Sequence, residues 1–270
     1  MLVDLHTHTT ASDGKLKPSE LVCMADKAGL SFLAITDHDT VSGIKEAKDT
    51  IKASNLSVSL VPGVELSIDS PGNEVHMLGL NIDPDNQKLK NRLHDFKEDR
   101  EQRVYRIIDK LNALSYNVTI EDVVKQRAAD TDTVGRPHIA AALVQKGYFG
   151  SLQDVFNKLL YFGGPAYETH LKPSMKEAIE LIHEAKGLSI IAHPYGIKDQ
   201  NIIEEAIKAG VDGIEVYYPE HTPEMMKHYH SMAKNYDLKI SGGSDFHGTK
   251  GRFPKRLGIF VISVQLLNLW

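Results

Sequence analysis

The sequence predicts an α/β barrel with a helical insert, and two observations support this fold class. Short apolar runs alternate with helical patterns at both ends of the chain, which is typical of parallel βα units. About eight such runs are present, as many as a barrel uses. The middle of the chain instead carries apolar residues at helical spacing in a charge-rich stretch. We therefore expect a barrel domain formed by 1–84 and 171–270, with an insert, 85–170, that covers the barrel mouth.

The predicted strands are short apolar runs bounded by turn-forming or polar residues. In chain order they cover 1–5, 32–35, 58–61, 75–82, 188–192, 213–217, 238–241 and 257–264. Amphipathic patterns between them predict helices, several of which begin at proline or serine and end near glycine. These helices cover 17–28, 43–53, 174–186, 202–209 and 223–236. In the insert, Thr119 and Ser151 each precede an aspartate by three residues and are typical of helix starts.

The composition is that of an ordinary globular chain of 270 residues, with 41% hydrophobic and 25% charged residues. Neither a membrane-length apolar run nor the pattern of a signal peptide is evident, so we expect a cytoplasmic protein. A single cysteine excludes an internal disulfide and a Cys-rich zinc site. A net charge of −5 argues against binding to long nucleic acid. Histidine is abundant, with 13 residues, and it is the commonest metal ligand.

Histidines and carboxylates follow the predicted strands, at the points where parallel strands of a barrel open on one face. His6 and His8 are separated by one residue, as are Asp245 and His247, so an extended backbone points each pair to one side. The full set of candidate metal ligands is His6, His8, Asp13, His38, Glu65, His76, His193, Asp245 and His247.

This set favours a transition-metal centre. Imidazoles and carboxylates without a thiolate suit Zn²⁺, Mn²⁺ or Fe²⁺. Nine groups exceed the about four to six ligands of one ion, so two to three ions fit better. The centre would attract an anionic substrate, and a bound water would ionise near neutral pH and attack phosphorus. For any one histidine, a solvent-exposed or hydrogen-bonded role is the competing interpretation; it explains the whole set poorly.

The motifs resemble those of the PHP (polymerase and histidinol phosphatase) family. They are His6-Thr7-His8, Ser12-Asp13-Gly14, Thr36-Asp37-His38-Asp39, Gly63-Val64-Glu65, Ala192-His193-Pro194 and Ser244-Asp245-Phe246-His247. The resemblance implies a distorted (β/α)7 barrel with a trinuclear metal centre. It assigns His6, His8, Glu65 and Asp245 to one ion, and Glu65, His76 and His193 to a second. It assigns Asp13, His38 and His247 to the third ion.

Within the family, the insert with Gly135-Arg136-Pro137-His138 resembles the branch that hydrolyses nucleotide phosphates. The resemblance implies a phosphatase acting on 3′,5′-nucleoside bisphosphates. Arg136 and His138 are the predicted catalytic and substrate-binding residues, since a guanidinium fork and the start of a helix both suit phosphate. A surface salt bridge for Arg136 and a turn cap for His138 are the competing interpretations. Asp37 and Asp39 are candidates to orient His38.

Two alternative functions remain open. One is a 5′-to-3′ exonuclease on short 5′-phosphorylated RNA that uses the same metals. The other is a non-catalytic metal-bearing scaffold, which the complete ligand set disfavours. The expected partner is therefore a small phosphorylated nucleotide or short RNA, rather than a membrane or long double-stranded nucleic acid.

Overall fold

The computed structural model describes residues 1–70, 72–126, 134–249 and 253–268. Residues 127–133 of the predicted insert and residues 71, 250–252 and 269–270 of the predicted barrel domain lie outside these ranges. The strands of the described residues are β1 (Leu2–Asp4), β2 (Leu30–Ile35), β3 (Ser59–Ser67), β4 (His76–Leu80), β5 (Leu188–Ile191), β6 (Gly213–Tyr217), β7 (Lys239–Gly242) and β8 (Ile262–Ser263). They form one sheet in the order β7-β6-β5-β4-β3-β2-β1-β8.

β7, at one end of this sheet, and β1, the strand next to the other end, meet through the segments that follow them. The Leu5 amide donates to the Gly242 carbonyl at 3.3 Å, and the Asp245 amide donates to the His6 carbonyl at 2.8 Å. The His8 amide donates to the Phe246 carbonyl at 2.9 Å. The sheet is therefore a nearly closed barrel, which confirms the predicted fold class.

One prediction about strand direction needs correction. β4 runs antiparallel to both β3 and β5, whereas the sequence analysis expected the strands of a parallel barrel. The reason is the short connection 68–75, because a parallel crossover needs about a dozen residues or more. β3 also continues to Ser67 instead of ending at residue 61, since its second half pairs with β4. Of the last predicted strand, 257–264, only β8 forms, antiparallel to β1.

Helices follow most of the parallel strands. They are α1 (Pro18–Lys27), α2 (Gly43–Ala53), α7 (Met175–Glu184), α8 (Asn201–Lys208) and α9 (Pro223–Asn235). Side-chain caps fix two of their starts: the Ser174 hydroxyl accepts from the Glu177 amide, and the Thr222 hydroxyl accepts from the Met225 amide.

Apolar residues such as Val3, from β1, and Ile190, from β5, pack together in a buried core.

The chain divides into two compact units, Met1–Leu93 with Lys172–Trp270, and His94–Leu171. The second unit is helical, as the sequence predicts for the insert. Its elements are the larger part of α3 (Gln87–Ala113), with α4 (Ile120–Val124), α5 (Arg136–Gln145), α6 (Leu152–Val155) and a π-helical turn, Phe156–Leu160. They share a core of apolar residues that includes Ile107, Leu111 and Leu143. No helix within the described residues has the length and apolarity needed to cross a membrane.

Candidate metal centre

The segments after β1 and β7 bring the first group of predicted ligands together. The Nε2 atoms of His6 and His8 lie 3.4 and 3.2 Å from Glu65 Oε2. They lie 3.4 and 3.1 Å from Asp245 Oδ1. All four side chains are buried, so four ligand atoms face one another inside the protein.

A second group forms on the other oxygen of Glu65. Its Oε1 atom lies 3.0 Å from both His76 Nδ1 and His193 Nε2, and these two nitrogens are 3.3 Å apart. His76 is the first residue of β4. Because β4 is antiparallel to its neighbours, its start lies at the edge where the parallel strands end. The reversed direction of β4 thus places His76 among the other ligands. In a parallel strand, the first residue would lie at the opposite end of the barrel.

The third group is centred on Asp13 and is the most exposed of the three. His247 Nε2 lies 3.2 Å from Asp13 Oδ1, and His38 Nε2 lies 4.0 Å from Asp13 Oδ2. His8 joins this group, with its Nδ1 atom 3.6 Å from Asp13 Oδ1. His38 also contacts Glu65, with Nδ1 3.1 Å from Oε2, so Glu65 is shared by all the neighbouring imidazoles except that of His247.

Backbone strain marks the positions where these ligands leave the strands. His193 and Asp245 have positive φ angles of 27° and 52°, and Asp39, beside His38, has 51°. Such angles cost about 1–3 kcal/mol each for residues with side chains and persist only where the surrounding structure holds them. The three residues follow three different strands, β5, β7 and β2.

The donor set fits divalent cations. Several buried nitrogens and one buried oxygen of the cluster have no hydrogen-bond partner: His6 Nε2, His8 Nδ1, His8 Nε2, His38 Nδ1, His247 Nε2 and Glu65 Oε2. Burying such atoms without partners is costly. Ligands about 2.1 Å from a tetrahedral ion are about 3.4 Å from each other, close to the observed spacings. These side chains are therefore better placed to bind a metal ion than to hydrogen-bond to one another.

The surroundings of the Glu65 and His38 side chains favour the protonation states that bind a metal ion. Burial alone would raise the pKa of Glu65, but the imidazoles of His38, His76 and His6 outweigh it and hold that pKa well below its usual range. Burial lowers the pKa of His38 to about 4, so its ring is neutral at neutral pH. Contacts with Asp245 and Glu65 outweigh burial at His8 and raise its pKa to about 9. An ion must therefore displace a proton from His8.

One carboxylate and one phenol that the sequence analysis did not select support the cluster. Glu215, in β6, contacts His6 and His193, and the Tyr218 hydroxyl donates to Asp245 Oδ2 at 3.0 Å. A glutamate inside the apolar strand sequence Gly-Ile-Glu-Val-Tyr is the signal that could have identified Glu215. Asp37, predicted to orient His38, instead accepts from Thr9 and Ser12.

Asp39 was the other candidate to orient His38. Its carboxylate accepts from the Ser67 amide at 3.0 Å and so ties the segment after β2 to the end of β3. The aspartates beside His38 thus fix the backbone around the ligands.

The helical unit holds the predicted phosphate-binding residues. Arg136 begins α5, and its guanidinium carbon lies 5.9 Å from the ring centre of Tyr167. Arg103, which is buried, lies 5.5 Å from the same ring. Neither arginine pairs with a carboxylate among the described residues, so the predicted alternative of a salt bridge for Arg136 finds no partner there. Burial and the nearby Arg136 lower the pKa of Arg103 to about 10.

His138 lies in the first turn of the same helix. Its Nδ1 atom accepts from the Gly135 amide at 3.1 Å, which is the capping role that the sequence left open. Its proposed role in catalysis stays a prediction.

The closure of the barrel next to the ligands allows a direct prediction. A Cβ atom on Gly243 would lie within 2.8 Å of the His6 Cα atom, so Gly243→Ala must push β7 away from the ligand-bearing segment. We expect a loss of about 1–3 kcal/mol in the free energy of unfolding, measured by urea denaturation. Gly150→Ala, where the added carbon would lie 3.8 Å from the nearest atom, is the control and should change stability little. Equal stability of both variants would contradict the tight closure.

Comparison with known proteins agrees with this geometry. The family described as PHP domain matches residues 4–232. The chain is 35% identical over 252 residues to the 5′-3′ exoribonuclease Rnm of Escherichia coli, covering 92% of this chain and 85% of that protein. It is 33% identical over 258 residues to a 3′,5′-nucleoside bisphosphate phosphatase of Chromobacterium violaceum, covering 93% and 89%. A solved structure from Bifidobacterium adolescentis, described as a candidate metal-dependent phosphoesterase, has a TM-score of 0.71 at 31% identity and covers 94% and 91%.

Proposed function

Because the chain belongs to the PHP family and is a metal-dependent phosphoesterase, we propose that it hydrolyses a phosphomonoester of small nucleotides, preferably 3′,5′-nucleoside bisphosphates. The observation that carries this proposal is the buried cluster in which five imidazoles lie within 3.4 Å of the Glu65 carboxylate, those of His6, His8, His38, His76 and His193. The similarity to a protein named a 3′,5′-nucleoside bisphosphate phosphatase, over nearly the whole of both chains, supports the substrate class.

The nine predicted residues would hold two to three divalent ions, Mn²⁺, Zn²⁺ or Fe²⁺. Bound there, such ions supply activated water and neutralise negative charge on a phosphoryl group. The three ligand groups support the partition given above, with Glu65 facing two of the groups through different oxygens. His8 extends that partition, because its second ring nitrogen faces Asp13.

The protein's own residues would bind and orient the substrate. We assign a phosphate of the substrate to Arg136, because its guanidinium has no carboxylate partner among the described residues and lies at the start of a helix of ten residues. Arg103, whose guanidinium carbon lies 5.5 Å from the ring centre of the same Tyr167, strengthens the positive charge of this region. Together they favour a ligand with a doubly charged phosphate.

A 5′-3′ exoribonuclease acting on short RNA is the second candidate. It rests on a specific observation, the 35% identity to a protein of that name. A non-catalytic scaffold is disfavoured, because every predicted metal ligand is present and lies within a few ångströms of at least one other predicted ligand.

Turnover of a substrate panel by the metal-reconstituted protein tests the proposal. The panel contains a 3′,5′-bisphosphorylated nucleoside, the matching 5′-monophosphate and a 5′-phosphorylated trinucleotide of RNA. We expect phosphate release to be fastest from the bisphosphate. Faster hydrolysis of the trinucleotide would favour the exonuclease, and negligible turnover of all three would contradict the proposal.

Replacing Arg136 tests its role in binding. Arg136→Lys keeps the positive charge but loses the planar fork that binds phosphate in two places. We expect KM for the bisphosphate to rise about 10- to 100-fold with a smaller change in kcat, since a charged hydrogen bond contributes about 1.5–3 kcal/mol. Arg106→Lys, at an arginine that pairs with Asp99 at 3.0 Å, is the matched control. An unchanged KM in Arg136→Lys would remove this residue from the substrate site.

A further inference from the structure

Glu215 is a fully buried carboxylate in the middle of β6. One oxygen, Oε1, lies 3.2 Å from His6 Nδ1, and the other, Oε2, accepts from the His193 amide at 2.7 Å. No lysine or arginine pairs with it anywhere in the parts of the chain that the structure describes. Burying a carboxylate is expensive unless its oxygens are well paired, and here both partners belong to the metal centre.

We propose that Glu215 is a positioning residue that sets two ion sites at once, through the ring of His6 and the backbone of His193. This inference rests on the proposed metal centre. It goes further by assigning a role to a residue that holds no ion itself and by coupling the first ligand group to the second.

The contact with His6 selects the form of the ring that can bind a metal. A carboxylate only accepts hydrogen bonds, so it stabilises the imidazole tautomer with the proton on Nδ1. The lone pair is then on Nε2, the atom that lies 3.4 Å from both Glu65 Oε2 and Asp245 Oδ1. Glu215 thus aims the His6 lone pair at the first group.

The contact with His193 acts on the second group through the main chain. His193 has a φ angle of 27°, which is strained for a residue with a side chain. The hydrogen bond from its amide to Glu215 fixes this backbone, and the ring then reaches Glu65 Oε1 at 3.0 Å. Without that bond, the backbone could relax and carry Nε2 away from His76 and Glu65.

The variant Glu215→Gln separates these roles with little change in shape. The amide oxygen can accept from the His193 amide, but the NH₂ group then faces His6 Nδ1. That arrangement favours the tautomer with the proton on Nε2, which cannot bind a metal through that atom. The opposite arrangement places two N–H donors against each other at His193. Either way, one of the two ligands is no longer held in the form or position that binds an ion.

Metal affinity is the primary readout, measured by equilibrium dialysis against buffered free Mn²⁺ or Zn²⁺ with elemental analysis. We expect the affinity to fall about 10- to 100-fold in Glu215→Gln, as for other residues that orient metal ligands. Co²⁺-loaded protein should also show an altered visible absorption spectrum, which a loss of stability alone would not produce. Near-UV circular dichroism of the metal-free protein establishes that the variant is folded.

Asp212→Asn is the matched control, because it breaks the same kind of contact away from the cluster. The Asp212 carboxylate binds one imidazole, His183 Nε2 at 2.7 Å, and one backbone amide of β5, Ser189 at 2.7 Å. We expect wild-type metal affinity and Co²⁺ spectrum in this variant. Should Glu215→Gln fail to fold, Glu215→Asp takes its place, since the shorter side chain keeps the charge but cannot span both donors.

The outcomes distinguish this inference from the function on which it rests. Wild-type affinity and spectrum in the folded Glu215 variant would overturn the positioning role and leave the metal centre standing. Failure of the wild-type protein to bind divalent ions would overturn both. Weakened binding in Glu215→Gln together with unchanged binding in Asp212→Asn supports the inference.

Discussion

Replacing Glu65 by glutamine is expected to abolish most of the hydrolytic activity. The two oxygens of Glu65 lie 3.0–3.4 Å from the nitrogens of five imidazoles, those of His6, His8, His38, His76 and His193. Glutamine keeps the shape but removes the negative charge at the centre of the cluster. Ions bound there contribute several kcal/mol of charge stabilisation, so we expect kcat to fall roughly a thousandfold.

The measurement is the initial rate of phosphate release from the 3′,5′-bisphosphate at saturating metal. Glu204→Gln serves as the control, because Glu204 is exposed on α8 and pairs only with Lys208 among the described residues. Its kcat should equal that of the wild-type protein. A Glu65→Gln variant with full metal content and unchanged kcat would contradict the shared role of this carboxylate.

Removing the metal ions is expected to abolish hydrolysis and to lower the melting temperature. An ion that is present at 100 times its Kd, and that binds only the folded chain, adds about 2.7 kcal/mol to the free energy of unfolding. For a chain of this size, each bound ion should therefore raise Tm by roughly 5–10 °C. The check is thermal unfolding before and after dialysis against a chelator, with Mn²⁺ or Zn²⁺ added back in separate samples.

The Glu65→Gln variant provides the internal control for this experiment. Since it should bind fewer ions, chelation should change its Tm less than that of the wild-type protein. If chelation left both the activity and the Tm of the wild-type protein unchanged, the cluster would have to be stabilised by its own hydrogen bonds. That result would rule out the metal-dependent mechanism.

The sequence was most informative where local pattern and site chemistry coincide. Strand β6 and helix α2 have the boundaries predicted from apolar periodicity. The spacing of His6 and His8 on one extended segment also predicts their shared orientation, because alternate residues of a strand point to the same side. The structure brings each predicted metal ligand close to at least one other.

Features that depend on distant partners escaped the sequence analysis. The direction of β4 follows from its pairing with β3 and β5. An apolar run in the sequence predicts a strand, but it does not determine whether that strand pairs parallel or antiparallel to its neighbours. The extension of β3 to Ser67 has the same origin, and it places Glu65 within a strand rather than after one. The role of Glu215 depends on His6, which lies 209 positions away along the chain. No local pattern carries that information.

The closure of the barrel has a consequence for biosynthesis. The segment that carries Asp245 and His247 is also the one whose backbone bonds join the last parallel strand to the first. A nascent chain on the ribosome therefore lacks a complete set of ligands until residue 247 has emerged, although His6 and His8 emerge long before it. We therefore expect tight binding of ions only after the segment that closes the barrel has been synthesised.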